Sequence, residues 1–129
     1  MILGIGVDVV DVQRMKELLV DQGETFIHKV FTESERDYCE RKPRPYEHFA
    51  ARFAAKEAVS KAIQTGWTGA FRWRDVEVSN DPNGAPRVSV KNDMAVLLEG
   101  HKIHLTLSHS ENTVVAFVVI ERVVEDQSS

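Results

Sequence analysis

The N-terminal segment alternates between large aliphatic residues and residues that are small or charged, which predicts a buried strand over residues 2–10. A strand directs successive side chains to opposite faces. One face of the predicted strand therefore carries Leu3, Ile5, Val7 and Val9, and the other carries Ile2, Gly4, Gly6 and Asp8. Because glycine has no side chain, other groups can approach Asp8 closely on the second face.

Helical periodicity replaces this alternation over residues 11–65, where the pattern predicts three helices. The first covers residues 11–19, and the sequence Thr-Glu-Ser-Glu at residues 32–35 is a capping box that starts the second. The third covers residues 45–65 and is stopped by Gly66. The apolar residues that we expect in the core of this region are Met15, Leu18, Phe49 and Phe53.

Beyond the third helix, short apolar runs separated by turn residues predict two strand pairs, with a short helix at residues 93–99 between them. The first pair encloses a turn at residues 81–84, and the second encloses a turn at residues 110–112. The four strands are predicted at residues 76–79, 87–90, 103–107 and 114–120. We therefore expect one α+β domain over residues 1–122, with an N-terminal strand, a long central helix and antiparallel C-terminal strands, and a flexible tail at residues 123–129.

Composition limits the classes of protein that fit this pattern. The chain has 129 residues, of which 43% are hydrophobic and 28% charged, enough for one domain that buries about two-thirds of its unfolded surface. The formal charge of −4 argues against nucleic acid as a partner, because no broad cationic excess exists to neutralise phosphates. A local cluster that can hold anions remains in the middle of the chain, at Arg36, Arg41, Lys42, Arg44 and Arg52.

Cysteine usage and hydropathy bear on the compartment. The single cysteine, Cys39, permits no internal disulfide, which favours the reducing cytoplasm. No apolar run approaches the roughly 18 residues of a membrane span, and the N-terminal apolar segment lacks a basic lead-in and contains Asp8. We therefore expect a soluble, cytoplasmic protein with no membrane partner.

The run ARFAAKEAVSKA, residues 51–62, carries Glu57 and Lys61 four positions apart on one face of the third predicted helix. One interpretation is a solvated ion pair that contributes about 0.2–0.5 kcal/mol. The alternative is the floor of a functional site, because the surrounding alanines leave little side chain to obstruct a strand, a subunit or a ligand.

Asp8 also has two interpretations. A charge at the end of an apolar strand costs free energy unless it is paired or bound to a metal, and Asp8 could instead be the N-cap of the next helix. Together with Glu57 it would supply two oxygen ligands with open positions, which suits Mg²⁺ and substrate phosphates. Lys61, one turn along the helix, could then steady a phosphate or accept a proton.

Two segments nearer the C-terminus add candidate chemistry. Ser108 and His109 close a predicted strand, and the Asn-Gly-Ala-Pro sequence at residues 83–86 is a hairpin turn whose bare backbone amides could also receive an anion. The histidines provide no zinc site, because His101 and His104 fall on opposite faces of their strand and no cysteine accompanies them.

Four motifs occur along the chain in the order GIGVDVV, RFAAKEAVSKA, NGAP and LSHS. Together they resemble the holo-acyl-carrier-protein synthases, the small single-domain type of 4′-phosphopantetheinyl transferase, over residues 1–122. The resemblance implies the fold of that family and transfer of the 4′-phosphopantetheine arm of coenzyme A to a serine of apo acyl carrier protein. It further implies Mg²⁺ as the cofactor, adenosine 3′,5′-bisphosphate as the second product, and a homotrimer with active sites between subunits.

The same resemblance implies roles for individual residues. Asp8 and Glu57 match the family's metal-binding carboxylates, and with Lys61, which matches its phosphate-contacting lysine, they make up the catalytic set. Arg14 and Lys16 match basic residues that face the acidic carrier protein. The positions matching those that hold the phosphates and adenine of the nucleotide are Arg52, Lys61, Asn83, Gly84, Pro86, Ser108 and His109.

Some choices stay open at this point. Asp21 and Glu24 stand where further basic residues are usual, so the carrier-docking face could be displaced toward the basic residues at 41–44, and Ala85 removes one potential phosphate contact. The proton acceptor could be Glu57, a metal-bound water or Lys61. A coenzyme A-binding regulator without catalysis is the main alternative function, and a purely structural trimer-forming module is a further alternative.

Overall fold

The computed structural model describes residues 1–64, 69 and 71–123, and these residues form four helices, five strands and a 3₁₀ turn at Trp73–Asp75. The helices are α1 (Val12–Val30), α2 (Glu33–Glu40), α3 (Pro45–Ile63) and α4 (Asn92–Leu97). The strands are β1 (Ile2–Asp11), β2 (Val76–Asn80), β3 (Pro86–Val90), β4 (His101–His109) and β5 (Thr113–Arg122). This order confirms the predicted α+β architecture, with its N-terminal strand, long central helix and antiparallel C-terminal strands.

Some predicted boundaries fall beyond the described ranges. The expected end of α3 at Thr65 and Gly66 lies outside the described residues, as does most of the predicted tail, residues 124–129. The predicted division into a domain at 1–122 and a tail at 123–129 therefore stays a prediction. Within the described ranges, none of the helices is both long enough and apolar enough to cross a membrane.

The strands form two antiparallel sheets. In the three-stranded sheet β1 and β4 flank β5, whereas β2 and β3 form a separate hairpin. Asp8 on β1 and Leu107 on β4 both pair with Ala116 of β5. The N-terminal strand is thus the neighbour of the C-terminal strand, and Asp8 lies toward the end of the sheet at which β4 turns into β5.

Helix α3 covers the glycine-bearing face of β1. A Cβ atom at Gly4 would lie 1.7 Å from the backbone oxygen of Ala62, and one at Gly6 would lie 1.9 Å from that of Ala58. Both alanines are buried. Glycines on the strand and alanines on the helix therefore allow the close approach that the sequence predicted for the Asp8 face.

The opposite face of the sheet corrects the prediction that β1 is a buried strand. Ile5, Val7 and Val9 are 59%, 49% and 62% exposed. The large side chains of β1 turn away from α3, because the helix can approach so closely only on the glycine side. We call this surface the outer face: it comprises Leu3, Ile5, Val7 and Val9 of β1 and Val115, Phe117 and Val119 of β5.

The starts of α1 and α2 follow local capping rules. Asp11 is the N-cap of α1, and its Oδ1 accepts a hydrogen bond from the backbone N–H of Arg14 at 3.0 Å. The alternative in which Asp8 caps this helix is therefore wrong. Helix α1 also extends beyond its predicted end to Val30, with a kink at Gly23, whose φ of 54° and ψ of −132° are not helical. The capping box that begins at Thr32 is confirmed.

A buried ion pair ties the helices to the β2–β3 hairpin. The Nζ atom of Lys56 lies 2.7 Å from Oε1 of Glu35, and both side chains are fully buried. Glu35 also accepts hydrogen bonds from the backbone N–H groups of Thr32 at 2.9 Å and Val78 at 2.8 Å. The Glu35 carboxylate thus links α2, α3 and β2. These contacts are on the side of α3 that faces away from β1.

Candidate active site

A cleft of about 530 Å³ lies where the end of β1, the start of α1 and the middle of α3 meet. The polar and charged side chains that line it are Asp8, Asp11, Arg14, Glu57 and Thr113. Leu18 and Phe53 were predicted to lie in the core but form half-buried walls of this cleft, whereas Met15 and Phe49 are buried as predicted. The cleft therefore combines acidic groups with an apolar wall.

Asp8 and Lys61 form an ion pair beside this cleft. The Nζ atom of Lys61 lies 2.9 Å from Oδ1 of Asp8 and donates a second hydrogen bond to the backbone oxygen of Val7 at 3.2 Å. The ammonium group thus pairs with the carboxylate of β1 rather than with Glu57 on its own helix. The structure brings together the three residues that the sequence singled out.

The pKa shifts at this cluster follow from burial and charge. Burial raises the pKa of the Glu57 carboxyl above its ordinary value, the negative charge of Asp8 raises it further, and Lys61 partly offsets both effects. The hydrogen bond from Lys61 to Asp8 raises the pKa of the Lys61 ammonium, which therefore stays protonated at neutral pH. Two carboxylates with a single ammonium group leave the cluster short of positive charge.

The donor set fits Mg²⁺. Asp8 and Glu57 offer carboxylate oxygens, and the negative charge of Asp8 contributes to the raised pKa of the Glu57 carboxyl, an effect that a divalent cation would relieve. In the described part of the chain, no group of three or more His, Cys, Asp or Glu side chains is arranged to hold a metal. Two carboxylates suit Mg²⁺ in particular, because this ion keeps several waters and binds substrate phosphates at its remaining positions.

The two basic residues of α1 lie at different places. Arg14 is exposed and lines the cleft next to Asp8 and Asp11. Lys16 is also exposed, but its Nζ atom lies 5.5 Å from the centroid of the Tyr46 ring, and it lines a separate groove. Of this pair, Arg14 is the one that borders the carboxylates.

Ser108 and His109 point to opposite faces, because β4 extends through both of them. His109 lies on the face covered by α3, where its Nδ1 atom is 3.4 Å from Oε1 of Glu47. Ser108 is in register with Val115 of β5 and, through it, with Val9 of β1, so it lies on the outer face. His109 therefore shares a sheet face with Asp8, and Ser108 does not.

Arg52 projects from α3 toward α2 and β2 and is only 3% exposed. Its Nη2 group donates a hydrogen bond to Oδ1 of Asn80 at 2.9 Å, and its Cζ atom lies 4.0 Å from the centroid of the Tyr38 ring. The Nδ2 group of Asn80 in turn donates to the backbone oxygen of Gly84 at 3.0 Å. Five residues along a helix correspond to a rotation of roughly 140°, so Arg52 and Glu57 project from different sides of α3.

The turn between β2 and β3 does not have the bare amides that its sequence suggested. Oδ1 of Asp81 accepts hydrogen bonds from the backbone N–H groups of Asn83 and Ala85, both at 3.0 Å. The backbone oxygen of Asp81 accepts another from the N–H of Gly84 at 2.8 Å. The expected anion site on these amides is therefore wrong, because they are already bound within the turn and Pro86 has no N–H.

The contacts of two residues near the candidate groups were not predicted from the sequence. Asp11 both caps α1 and lines the cleft, and an aspartate directly before a helical segment was a local signal that could have identified it. Tyr38 packs on Arg52, but these residues are far apart in the chain and meet only through the packing of α2 on α3. No local pattern predicts that contact.

Comparison with known proteins adds independent evidence. The family model of the 4′-phosphopantetheinyl transferase superfamily matches residues 4–119. A holo-[acyl-carrier-protein] synthase from Koribacter versatilis is 42% identical over 124 residues, which cover 94% of this chain and 99% of the relative.

Solved structures agree with this match. The holo-[acyl-carrier-protein] synthase of Neisseria meningitidis has a TM-score of 0.85 and 36% identity, with 94% of this chain and 99% of that chain covered. The corresponding synthase of Bacillus anthracis, solved in complex with coenzyme A (3′,5′-ADP), has a TM-score of 0.77 and 37% identity, with 94% and 97% covered. The resemblance of the four sequence motifs is therefore confirmed over almost the whole chain.

Proposed function

The chain belongs to the 4′-phosphopantetheinyl transferase superfamily, and we propose that it is a holo-[acyl-carrier-protein] synthase. It transfers the 4′-phosphopantetheine group of coenzyme A to a serine of apo acyl carrier protein and releases adenosine 3′,5′-bisphosphate. The observation that carries this proposal is the meeting of Asp8, Glu57 and Lys61 at one cleft, in a chain 42% identical to a relative of that name.

The reaction needs a site that tolerates concentrated negative charge. The serine oxygen of the carrier protein attacks the β-phosphorus of coenzyme A while the bridging oxygen of the pyrophosphate leaves. Asp8 and Glu57 would hold Mg²⁺, which when bound neutralises charge on the pyrophosphate. Lys61 adds a fixed ammonium group beside Asp8, where it can contact the same phosphates.

The serine must also lose its proton. Lys61 is a poor acceptor, because its hydrogen bond to Asp8 raises the pKa of its ammonium group and keeps it protonated. This leaves the Glu57 carboxylate as the acceptor that the chain itself supplies. No covalent enzyme intermediate is required, since the carrier serine is itself the nucleophile.

Nucleotide binding is proposed for residues on the other side of α3 and at the sheet end. Arg52 and His109 supply positive or hydrogen-bonding groups, and the turn at residues 83–86 lies next to Arg52 through Asn80. Ser108 lies on the outer face, so its proposed contact with the nucleotide requires a neighbouring subunit there. Because the amides of the turn are bound internally, Asn83, Gly84 and Pro86 would contact the nucleotide through their other atoms.

A homotrimer with active sites between subunits is supported by the outer face. A monomer would leave a contiguous apolar surface on β1 and β5 in water, which is typical of a protein–protein interface. Val9 belongs to this face and also lines the cleft that contains Asp8. A second copy seated on the outer face would therefore complete the wall of the cleft. The buried alanines of α3, by contrast, pack within one chain.

Docking of the acidic carrier protein is proposed at Arg14, with Lys16 farther out on the same helix. Arg14 is exposed at the mouth of the cleft, where its charge could draw an acidic partner toward Asp8 and Glu57. Glu24, one of the acidic residues that depart from the family's pattern, forms an ion pair with Arg36. Its charge therefore opposes docking less than the sequence suggested.

We also propose that the protein works in the cytoplasm. The single thiol, Cys39, is buried and free, and burial raises its pKa to about 12. A neutral, enclosed thiol of this kind has a packing role. It is compatible with a reducing compartment.

Mass spectrometry of an apo acyl carrier protein tests the function directly. Incubation with the protein, coenzyme A and Mg²⁺ is expected to add one phosphopantetheine to the carrier, and a carrier whose acceptor serine is replaced by alanine is expected to gain nothing. Binding of coenzyme A without any gain in carrier mass would instead indicate the non-catalytic regulator. Absence of both binding and transfer would contradict the proposal.

A further inference from the structure

Arg52 is a buried cation without a counter-charge. It is 3% exposed, its Nε atom is buried and has no hydrogen-bond partner, and its Nη2 group bonds to the neutral amide of Asn80. Within residues 1–64, 69 and 71–123, no carboxylate forms an ion pair with this guanidinium. A buried charge costs considerable free energy unless it is paired, so an anionic ligand is the missing partner.

The groups packed around Arg52 reinforce this need. The Tyr38 ring has the guanidinium at 4.0 Å from its centroid and the Nζ atom of Lys42 at 4.6 Å, and the ring of His48 meets it edge-on at 5.7 Å. Burial lowers the pKa of the His48 imidazole first, and the charge of Arg52 lowers it further. A ring that two cations share attracts them but cannot neutralise them.

We propose that Tyr38 and Asn80 are positioning residues that hold the Arg52 guanidinium for the nucleotide phosphate that does not react, the 3′-phosphate of coenzyme A. The inference rests on the proposed function. Lys61 and the carboxylates serve the reacting pyrophosphate on one side of α3, whereas Arg52 contacts α2 and β2. The remaining phosphate of coenzyme A is therefore the ligand left for Arg52.

The two positioning residues hold Arg52 by different contacts. The ring of Tyr38 stacks on the guanidinium, which fixes the plane of the guanidinium. Asn80 accepts from Nη2 and donates to Gly84, so the same amide links Arg52 to the turn proposed for nucleotide binding. Loss of either contact is expected to free Arg52 without touching the reacting groups at Asp8.

The test compares coenzyme A with 3′-dephospho-coenzyme A as the donor of phosphopantetheine. Wild-type protein is expected to prefer coenzyme A. Tyr38→Leu should lower kcat/KM for coenzyme A by about tenfold, through KM rather than kcat, and should change kcat/KM for 3′-dephospho-coenzyme A by less than about twofold. Tyr38→Phe is the matched control, because it keeps the ring and should retain the preference.

Asn80→Asp provides a second, independent arm. It keeps the size of the side chain and places a carboxylate beside Nη2 of Arg52, which would compete with the phosphate. The same loss of preference is expected, and the affinity for adenosine 3′,5′-bisphosphate in calorimetry should fall to that for adenosine 5′-monophosphate. This arm remains decisive if Tyr38→Leu fails to fold.

A double variant shows whether Tyr38 acts through Arg52. In an Arg52→Met background, Tyr38→Leu should cause no further loss of preference for the 3′-phosphate. An equal loss of kcat/KM with both donors in Tyr38→Leu and Asn80→Asp would overturn the positioning role, as would a wild-type protein that does not distinguish the donors. A wild-type protein that transfers nothing from either donor would instead refute the proposed function.

Discussion

Glu57 combines a proposed role in the site with a cost to stability. Its carboxyl is half-buried, faces the charge of Asp8, and therefore has a pKa above the ordinary value of 4.5. In the unfolded chain the group ionises normally, so folding favours its protonated form. As pH rises from about 4.5 through the folded-state pKa, the folded protein loses stability relative to the unfolded chain.

Glu57→Gln should therefore stabilise the metal-free protein at neutral pH. The expected result is a higher melting temperature than wild type at pH 7.5, with a gain that shrinks as pH falls toward 4, where the wild-type carboxyl is protonated as well. Calorimetry at both pH values measures this gain, and Glu17→Gln on the exposed surface of α1 should show none. A gain that does not depend on pH would contradict the explanation.

Asp8 and Glu57 should be needed together for metal binding. Asp8→Asn and Glu57→Gln are each expected to weaken Mg²⁺ binding by about tenfold or more in calorimetry and nearly to abolish transfer, because each removes one of two carboxylate ligands. Circular dichroism should show that both variants remain folded. Asp93→Asn, an exposed aspartate on α4, is the control and should bind Mg²⁺ as wild type does. Unchanged Mg²⁺ dependence in either site variant would refute a shared metal.

At the scale of single residues, the sequence predicted which side chains lie together where a local pattern or the type of side chain indicated it. A carboxylate on a glycine-lined strand, and an acid and a base one helical turn apart, marked Asp8, Glu57 and Lys61 as candidates, and the structure brings the three together. Their roles stay predictions. The amides of the β2–β3 turn were misjudged because Asp81 binds them, although aspartate is a common turn-capping residue. The contact of Tyr38 with Arg52 could not be predicted, since it depends on how two helices pack.

Between elements, the contact of β1 with α3 depends on the absence of side chains. Gly6→Ala should destabilise the protein by about 3 kcal/mol or more, because its Cβ would lie 1.9 Å from a backbone oxygen that cannot move alone. Urea unfolding measures the change. Gly100→Ala is a useful comparison, since nothing lies within 4 Å of its Cβ and only its φ of 75° opposes alanine, at a cost of about 1–2 kcal/mol. Equal stability of the two variants would refute the close-packing explanation.

Element types followed from periodicity, but their environments did not. Alternation correctly predicted β1 and separated its two faces, yet the larger apolar residues proved to be exposed and the glycines covered. Hydrophobicity indicates that a face needs a partner, and it does not say whether the partner belongs to the same chain. The capping box of α2 was predictable because both of its hydrogen bonds lie within four residues.

At the scale of the whole molecule, Arg14 should act on encounter with the carrier protein. Arg14→Ala is expected to raise KM for the carrier several-fold, leave KM for coenzyme A unchanged, and flatten the dependence on salt, whose screening length is about 8 Å at physiological strength. Lys16→Ala, farther from the cleft, should have a smaller effect. Equal weakening for coenzyme A and carrier protein would place Arg14 in the nucleotide site or in the fold, and would direct the search for a docking face to residues 41–44.

The outer face makes assembly itself testable. Val7 lies in the middle of this face and is 49% exposed in a single chain, so Val7→Lys would place a charge within the proposed subunit interface. Light scattering at micromolar concentration is expected to show a trimer for wild type and a monomer for Val7→Lys. Val96→Lys on α4 introduces the same charge at a valine that is 74% exposed and outside this face, and it should remain trimeric. Because Val9 joins the outer face to the cleft, the monomeric variant should keep its secondary structure but lose transfer. A fully active wild-type monomer, or a Val7→Lys protein that remains a trimer, would contradict an active site shared between subunits.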